Sequence, residues 1–499
     1  MRNPRTVFSL LLAVTLLPAF LSGQARPKVT LNPTLSPPKS PVLASGKNFL
    51  PGAHIIASLD TQQIGEALAD ASGGFKNARI NIPSGIPEGR HTMAFIDISN
   101  PQGYTVTLPF TIQTNWPQRH FDAQNTANNP YEWKIDTNTV KALAPVWNTV
   151  GKPQACMFNR AYTFDPAAIV MGGVVYYSND AVGLQALDAA TGSFLWGFDT
   201  TGTGSGNCGG EPVGDNRHTV MLGNTVGTVW AINTLTHGAA WFHPGFPFNN
   251  NGDEFAMLSA GTSLFVVIPS DGSLTSLGEA NGGVTNWSLS LGSDSLGLPA
   301  WNKGRVFPFA YSDALAYNAT TASLIWQTPV PNQCCAYNPV AGANTVYYTA
   351  EAVSLSNSSI SAFDATKGKK LWTTSVVGRV QTAPALANGL FYTANTLALN
   401  GELLAIMALD KFGASPWVNF LGLTVTSFSS PMVANGVVYV GIANGKNSVV
   451  ALDGSDGTLL WSFDFPGGYG RPSPLAVVDG TLYVGAPTPG GNSDIFAFR

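Results

Sequence analysis

The sequence predicts an all-β protein, an eight-bladed β-propeller over 115–499 carried behind a small β-sandwich over 29–113. Three observations carry that prediction. Tryptophans recur at Trp147, Trp196, Trp241, Trp287, Trp326, Trp372, Trp417 and Trp461, at gaps of 49, 45, 46, 39, 46, 45 and 44 residues. A nearly fixed period in this range marks a repeat architecture. Gly at 53, Pro at 34 and charged residues at 11% describe a turn-rich chain of low charge, which favours many short strands over helices. The apolar segments are correspondingly short, and Gly, Pro, Asn or Asp separates them.

The N-terminus has the layout of a secretory signal. Arg2 and Arg5 precede an apolar run from Val7 to Leu21, and the small residues Gly23 and Ala25 follow it. Cleavage is expected after Ala25, so that 1–25 is the signal peptide. The run is too short for a spanning helix, and no later stretch reaches the roughly 18 apolar residues a span needs. With no cysteine directly after the run to take a lipid, the expected location is extracytoplasmic, periplasmic or secreted, with no transmembrane segment in the mature chain. A formal net charge of −4 without a Lys/Arg cluster argues against nucleic acid as a partner.

Between 29 and 113, apolar segments such as Ile55–Ser58, His91–Ile98 and Tyr104–Ile112 alternate with Gly/Pro turns, the spacing of a small sandwich. The stretches SGKNFLPG (45–52), DASGGF (70–75) and IPSGIPEGRHTMAF (82–95) resemble TIG-like, immunoglobulin-like modules. Nothing in them has the spacing of a metal or catalytic site, and the module is expected to serve as a spacer or adhesive unit.

Each tryptophan closes a hairpin. ALDAATGSFLW (186–196), AFDATKGKKLW (362–372) and ALDGSDGTLLW (451–461) share an apolar strand, an Asp, a Gly-containing turn and a Trp strand. A second pair lies upstream, as in PAAIVMGGVVYYSN (166–179) and PMVANGVVYVGI (431–442). Asn-Gly or Asp-Gly at 388–389, 435–436 and 479–480 supplies the positive φ of tight hairpins. Four strands make one blade. The repeat that ends at Arg499 lacks a Trp strand, while LAPVWNTV (143–150) carries a Trp strand with no hairpin before it, so 143–150 is expected to complete that blade and close the ring. The repeat tryptophans are expected to wedge between neighbouring blades, and the Asp before each turn to accept local hydrogen bonds.

WPQRHFDAQNTANNP (116–130), VKALAPVW (140–147) and the Asp-turn-Trp hairpins resemble the quinoprotein (PQQ-like) propeller family across 115–499. That resemblance implies a quinoprotein-like fold and leaves two functions open. One is a binding or scaffold module, which takes a protein or small-molecule ligand at the propeller mouth. The other is a dehydrogenase of alcohols or sugars that depends on pyrroloquinoline quinone and Ca2+. The absence of a C-x-x-C-H haem-attachment motif means that such an enzyme would carry no haem of its own. The binding module is the favoured expectation, because a Glu, Asn and Asp set around calcium with an Asp base is not assignable.

Candidate site residues gather on the loops that join one blade to the inner strand of the next. Asp165, Glu211, Asp253, Glu254 and Asn338 offer oxygen atoms to a hard cation. Arg160, Arg217, Arg379 and Arg471 could pair with carboxylates of a quinone or of the protein. Four cysteines in an oxidising compartment allow three pairings. Cys156 with Cys208 lie on neighbouring loops, which leaves the adjacent Cys334 and Cys335 to form a vicinal bond. Several quinoprotein dehydrogenases pack such a bond on the flat cofactor, so the resemblance implies a cofactor contact for Cys334 and Cys335.

Overall fold

The computed structural model describes residues 25–83, 86–87, 89–100, 104–150, 155–156, 168–179, 183–200, 211–215, 217–224, 227–246, 256–268, 272–292, 297–310, 313–330, 336–350, 358–380, 382–398, 402–467, 470–487 and 492–499. Apart from the short 3-10 turns Thr139–Ala142 and Glu279–Asn281, the regular elements among them are β-strands. The chain divides into two compact units, one ending at Ile112 and one covering Gln113–Arg499.

The first unit holds two sheets. Lys28–Asn32, Pro41–Lys47 and Phe75–Asn81 form a three-stranded antiparallel sheet. In the five-stranded sheet Gly89–Asp97 lies between Thr105–Ile112 and His54–Leu59, and Gln62–Leu68 and Leu35–Ser36 occupy the two edges. Alternation places Val42, Ile55, Ile80, Phe95, Phe110 and Ile112 in one shared core while their sequence neighbours face outward. The β-turn leading into Gln62–Leu68 is fastened by Asp60, whose carboxylate accepts from His91 Nδ1 at 2.7 Å and from the Thr92 amide at 2.9 Å. The His91 hydrogen bond holds the Asp60 carboxyl below its ordinary value.

The second unit repeats one four-stranded antiparallel meander. Ala168–Met171, Val174–Asn179, Gly183–Asp188 and Phe194–Asp199 pair in sequence order. The first turn of the meander needs positive φ at both central residues. Gly172–Gly173 (59° and 74°), Asn388–Gly389 (53° and 78°), Asn435–Gly436 (45° and 83°) and Asp479–Gly480 (53° and 75°) all have it. First strands of successive meanders lie against one another: Ala168–Met171 beside Val213–Gly214, Ala385–Ala387 beside Met432–Ala434, and Met432–Ala434 beside Ser473–Val478. Ser473–Val478 in turn lies against Ala168–Met171. The strand Pro145–Asn148 pairs antiparallel with Asn492–Phe498, Trp147 opposite Ala497. Ala144 and Arg499 exchange backbone hydrogen bonds of 3.0 Å beside it.

The tryptophans join neighbouring sheets. Trp147 Nε1 donates to the Ala189 carbonyl (3.1 Å), Trp241 to Glu279 (3.0 Å), Trp287 to Ala319 (3.1 Å) and Trp326 to Ala365 (3.2 Å). Trp372 donates to Lys411 (2.8 Å), Trp417 to Gly454 (3.1 Å) and Trp461 to Leu143 (3.1 Å). Each acceptor lies in or beside the next sheet. Trp196 differs: its ring stacks on His237 of the following meander with centroids 4.5 Å apart. Directly across the ladder from the eight rings stand Ala497, Ala186, Ala231, Ser276, Ala316, Ala362, Ala408 and Ala451. A small residue there leaves room for the indole.

In the hairpin turns that lead into the Trp strands the left-handed region recurs. Gly192, Gly368 and Gly457 fill it in three turns, whereas Ala322 holds φ of 59° in a fourth. A side chain in that conformation is disfavoured by about 1 kcal/mol or more. Ala322→Gly is expected to raise stability by roughly 0.5–1 kcal/mol after the added entropy of the unfolded chain is set against it. A thermal midpoint unchanged or lower in the variant would contradict this.

Candidate functional site

Residues 116–129 do not belong to any meander. They run past the first strands of successive sheets, bonding to one after another. Trp116 exchanges backbone bonds with Val170 (2.7 and 2.9 Å), and the Pro117 carbonyl accepts from the Gly214 amide at 2.6 Å. Gln118 Oε1 accepts from the Ser259 amide at 3.1 Å. The carbonyls of Ala123, Gln124, Thr126 and Ala127 accept from Trp301 (2.6 Å), Ala341 (2.9 Å), Leu386 (2.8 Å) and Val433 (2.8 Å). Asn129 Nδ2 finally donates to the Val477 carbonyl at 2.7 Å. The segment is a strap along the inner strands.

The strap turns tightly because His120, Phe121, Asn125 and Ala127 adopt positive φ of 57°, 74°, 60° and 50°. Packing and hydrogen bonds must hold such residues in place. The Trp116 and Phe121 rings meet edge to face at 5.1 Å. Asn125, with no exposed surface, donates through Nδ2 to the carbonyls of Pro299 and Pro339, both at 3.0 Å. Asp122 Oδ1 accepts from the Gln124 and Thr126 amides (3.1 and 3.0 Å), and Oδ2 from the Thr126 hydroxyl (2.7 Å).

Deep placement outweighs those three hydrogen bonds and pushes the Asp122 carboxyl up to about 6. The folded state therefore binds a proton more tightly than the unfolded chain, and stability falls as pH rises from about 4 to 6. Asp122→Asn keeps the two amide bonds without the charge. It is expected to add about 2 kcal/mol at pH 7 and to flatten the pH 4–6 slope of the thermal midpoint. A slope that survives the substitution would assign the titration to another group.

Where the strap passes between Ala168–Met171, Val213–Gly214, Met432–Ala434 and Ser473–Val478 it borders a cavity of about 40 Å³. Arg119, His120, Glu211, Ser430 and Ser473 supply its polar lining, with Pro212, Met432 and Pro474 between them. Glu211 is 2% exposed, and its carboxylate accepts from Arg119 Nη1 in a buried ion pair. Both Glu211 and Ser430 precede a Pro just ahead of an inner strand, Pro212 before Val213–Gly214 and Pro431 before Met432–Ala434. This pocket is the candidate site.

Of the residues singled out from the sequence, Glu211 lines the pocket. Arg471 is buried close to the same first strands, and its Nη1 donates to the Phe428 carbonyl at 2.6 Å. Arg379 opens the short strand Arg379–Val380, which pairs with Leu390–Ala398. Asn338 sits within the strand Ala336–Ala341 at an irregularity in register, not ahead of it, and its Oδ1 accepts from the Leu298 amide at 2.9 Å. Arg217 corrects the expectation of a shared rim. It lies in the turn that follows the inner strand Val213–Gly214, at the opposite end of that strand from Glu211. There it bridges Asp215 (3.1 Å) and Glu279, beside a second cavity of about 290 Å³. Burial raises the Glu279 carboxyl despite the Ser259 hydroxyl at 2.6 Å and the Arg217 contact. Cys156 falls in the strand Ala155–Cys156, opposite Asn492. Asp165, Asp253, Glu254, Arg160, Cys208, Cys334 and Cys335 lie outside the described residues, and both disulfides with them.

Arg119, His120, Asp122 and Asn125 stand in the stretch 116–130, whose residues carried the resemblance without separate roles. Its signal was available: it is polar, has no period of two, and recurs in no other repeat.

The described residues do not fit a quinone with calcium. About 40 Å³ is far below the roughly 300–1,000 Å³ of a cofactor site. Glu211 is committed to Arg119, and Asn338 Oδ1 to a backbone amide. Among the described residues no group of three or more His, Cys, Asp or Glu could hold a metal ion.

Comparison with known proteins places the repeats. Residues 270–410 and 356–496 match a family model described as outer membrane protein assembly factor BamB. The chain is 25% identical over 337 residues to tetrathionate hydrolase of Acidithiobacillus ferrooxidans, covering 63% of this chain and 61% of that protein. It is 29% identical over 191 residues to BamB of Yersinia pestis, covering 35% and 46%. The chain thus spans less than two thirds of the length of either relative. In structure it is similar to the quinohemoprotein alcohol dehydrogenase of Comamonas testosteroni, with a TM-score of 0.59 at 12% identity over 77% of this chain and 80% of that one. No helix among the described residues is long and apolar enough to cross a membrane. The repeat match over 270–496 and the likeness in fold support a PQQ-type propeller for the 113–499 unit.

Proposed function

We propose that the chain is an extracytoplasmic binding propeller: eight four-stranded blades, closed by the strand 143–150, behind an immunoglobulin-like module at 29–113. It takes a protein or small-molecule ligand at the mouth where the blade-joining loops emerge. The observation that carries this reading is the axial pocket, which is small and has its buried charges already paired as Arg119 with Glu211. A site so arranged suits a scaffold better than a cofactor. The BamB match over 270–496 supports the same reading, since that protein is described as an assembly factor. Closure is supported by the Trp147–Ala497 pairing and by the tryptophan contacts that pass from sheet to sheet.

One observation favours a second reading. Tetrathionate hydrolase, an enzyme by its name, matches over 63% of the chain. That would make the propeller a hydrolase of sulfur oxyanions. The two are separated by assaying the purified full chain for tetrathionate hydrolysis, and for uptake of pyrroloquinoline quinone with Ca2+ and alcohol-dependent dye reduction. In parallel, a benzoylphenylalanine cross-linker is placed at Lys446, in a turn at the mouth end, and at Lys303, in a turn at the other end. Binding predicts adducts in the native cell envelope from position 446 and not 303, with no turnover. Tetrathionate turnover, or quinone-dependent dye reduction, would overturn it.

A further inference from the structure

The strap is bonded to too many sheets to move piecemeal. Five of its contacts are amides of five different sheets, Gly214, Trp301, Ala341, Leu386 and Val433, that donate to strap carbonyls. Arg119 and His120 line the axial pocket among inner strands of the first, second and last two meanders, whereas Asn125 is bonded to Pro299, just before Ala300–Asn302, and to Pro339, within Ala336–Ala341. From one to the other, the positive φ of His120, Phe121 and Asn125 and the Asp122 turn leave little slack. The two neighbours of Asn125 are themselves tied, since the Leu298 amide donates to Asn338 Oδ1 at 2.9 Å.

We propose that residues 116–129 act as a single cooperative strap that couples the Arg119–Glu211 pocket to the inner strands on the far side of the ring, with Asn125 as its latch. The proposal rests on the closed-ring reading above. An occupant that displaces Arg119 cannot be accommodated at the pocket alone. The shift passes along 120–127 and reaches the strands at Trp301, Ala341 and Leu386, because each intervening turn is fixed by a hydrogen bond inside the strap. Coupling of this kind needs a unit with two arrangements, bonded or released, that both ends bias.

Native-state hydrogen exchange of the full chain tests this. In low urea the five amides of Gly214, Trp301, Ala341, Leu386 and Val433 are expected to share one opening free energy and one urea dependence, as a cooperative unit does. Asn125→Ala is expected to speed all five by a common factor of about tenfold or more. Arg119→Gln, at the other end, is expected to speed Ala341 and Leu386 as well as Gly214. Changes confined to Trp301 and Ala341 in Asn125→Ala, or five unrelated opening energies in the unmodified protein, would overturn the coupling. If Asn125→Ala fails to fold, the five opening energies of the unmodified protein decide between coupling and its absence. An open ring gives a different pattern, in which the amides of Ala144 and Arg499 exchange rapidly while the five strap amides remain protected.

Discussion

Glu211→Ala is expected to destabilise the propeller by about 3–5 kcal/mol, the usual penalty for removing one member of a buried ion pair. Arg119 loses the carboxylate it meets beside the axial pocket, where Pro212, Met432 and Pro474 also stand. Removing both charges should behave differently. Arg119→Met with Glu211→Leu is expected to recover most of the loss, because apolar residues of similar volume avoid the desolvation penalty of the pair. Thermal or urea unfolding of the single and double variants measures this. A double variant as unstable as Glu211→Ala would show that the pair is needed for its hydrogen bonds and not only for charge balance.

Gly368→Ala is expected to cost about 3 kcal/mol, through two effects that coincide. The residue has φ of 68°, which disfavours any side chain by about 1–2 kcal/mol. A Cβ there would also fall 2.5 Å from Trp326 Cδ2, so the indole must shift and strain its bond to the Ala365 carbonyl. Overpacking of this kind adds about 1–3 kcal/mol. Gly389→Ala is the control, since its φ is 78° but no atom lies near its added Cβ. A loss at Gly368 no greater than at Gly389 would remove the indole contact from the account.

Legibility in the sequence differs from residue to residue. The hairpin turns at 388–389, 435–436 and 479–480 are legible because positive φ leaves a chemical mark, Asn-Gly or Asp-Gly. The tryptophan period is legible because each indole has the same task, reaching a carbonyl beside the next sheet. The Ala or Ser facing each indole goes unread, although it stands in the same ALD and AFD segments that define the hairpin. A missing side chain leaves little mark in a sequence. Arg217 is misplaced from sequence because loops at both ends of a blade have similar composition, and only the parity of strands tells them apart. The strap is harder still. Its partners are backbone groups of separate sheets, and backbone bonding over such distances has no residue signature.

The pairing of 145–148 with 492–498 has a consequence for biosynthesis. Thr149 and Asp494, 3.3 Å apart at this seam, are 345 residues apart in sequence. Contacts of such long range are slow to form, because the loop they close must first be ordered. During synthesis the early strand emerges long before its partner exists, and its unpaired backbone edge is a template for wrong associations. Pro145 restricts that hazard, since it has no amide proton to offer an incoming strand. The chain thus carries its own delay: a nascent protein keeps this seam unsealed until residues 492–498 have been delivered, and a shielding chaperone would be needed most in that interval.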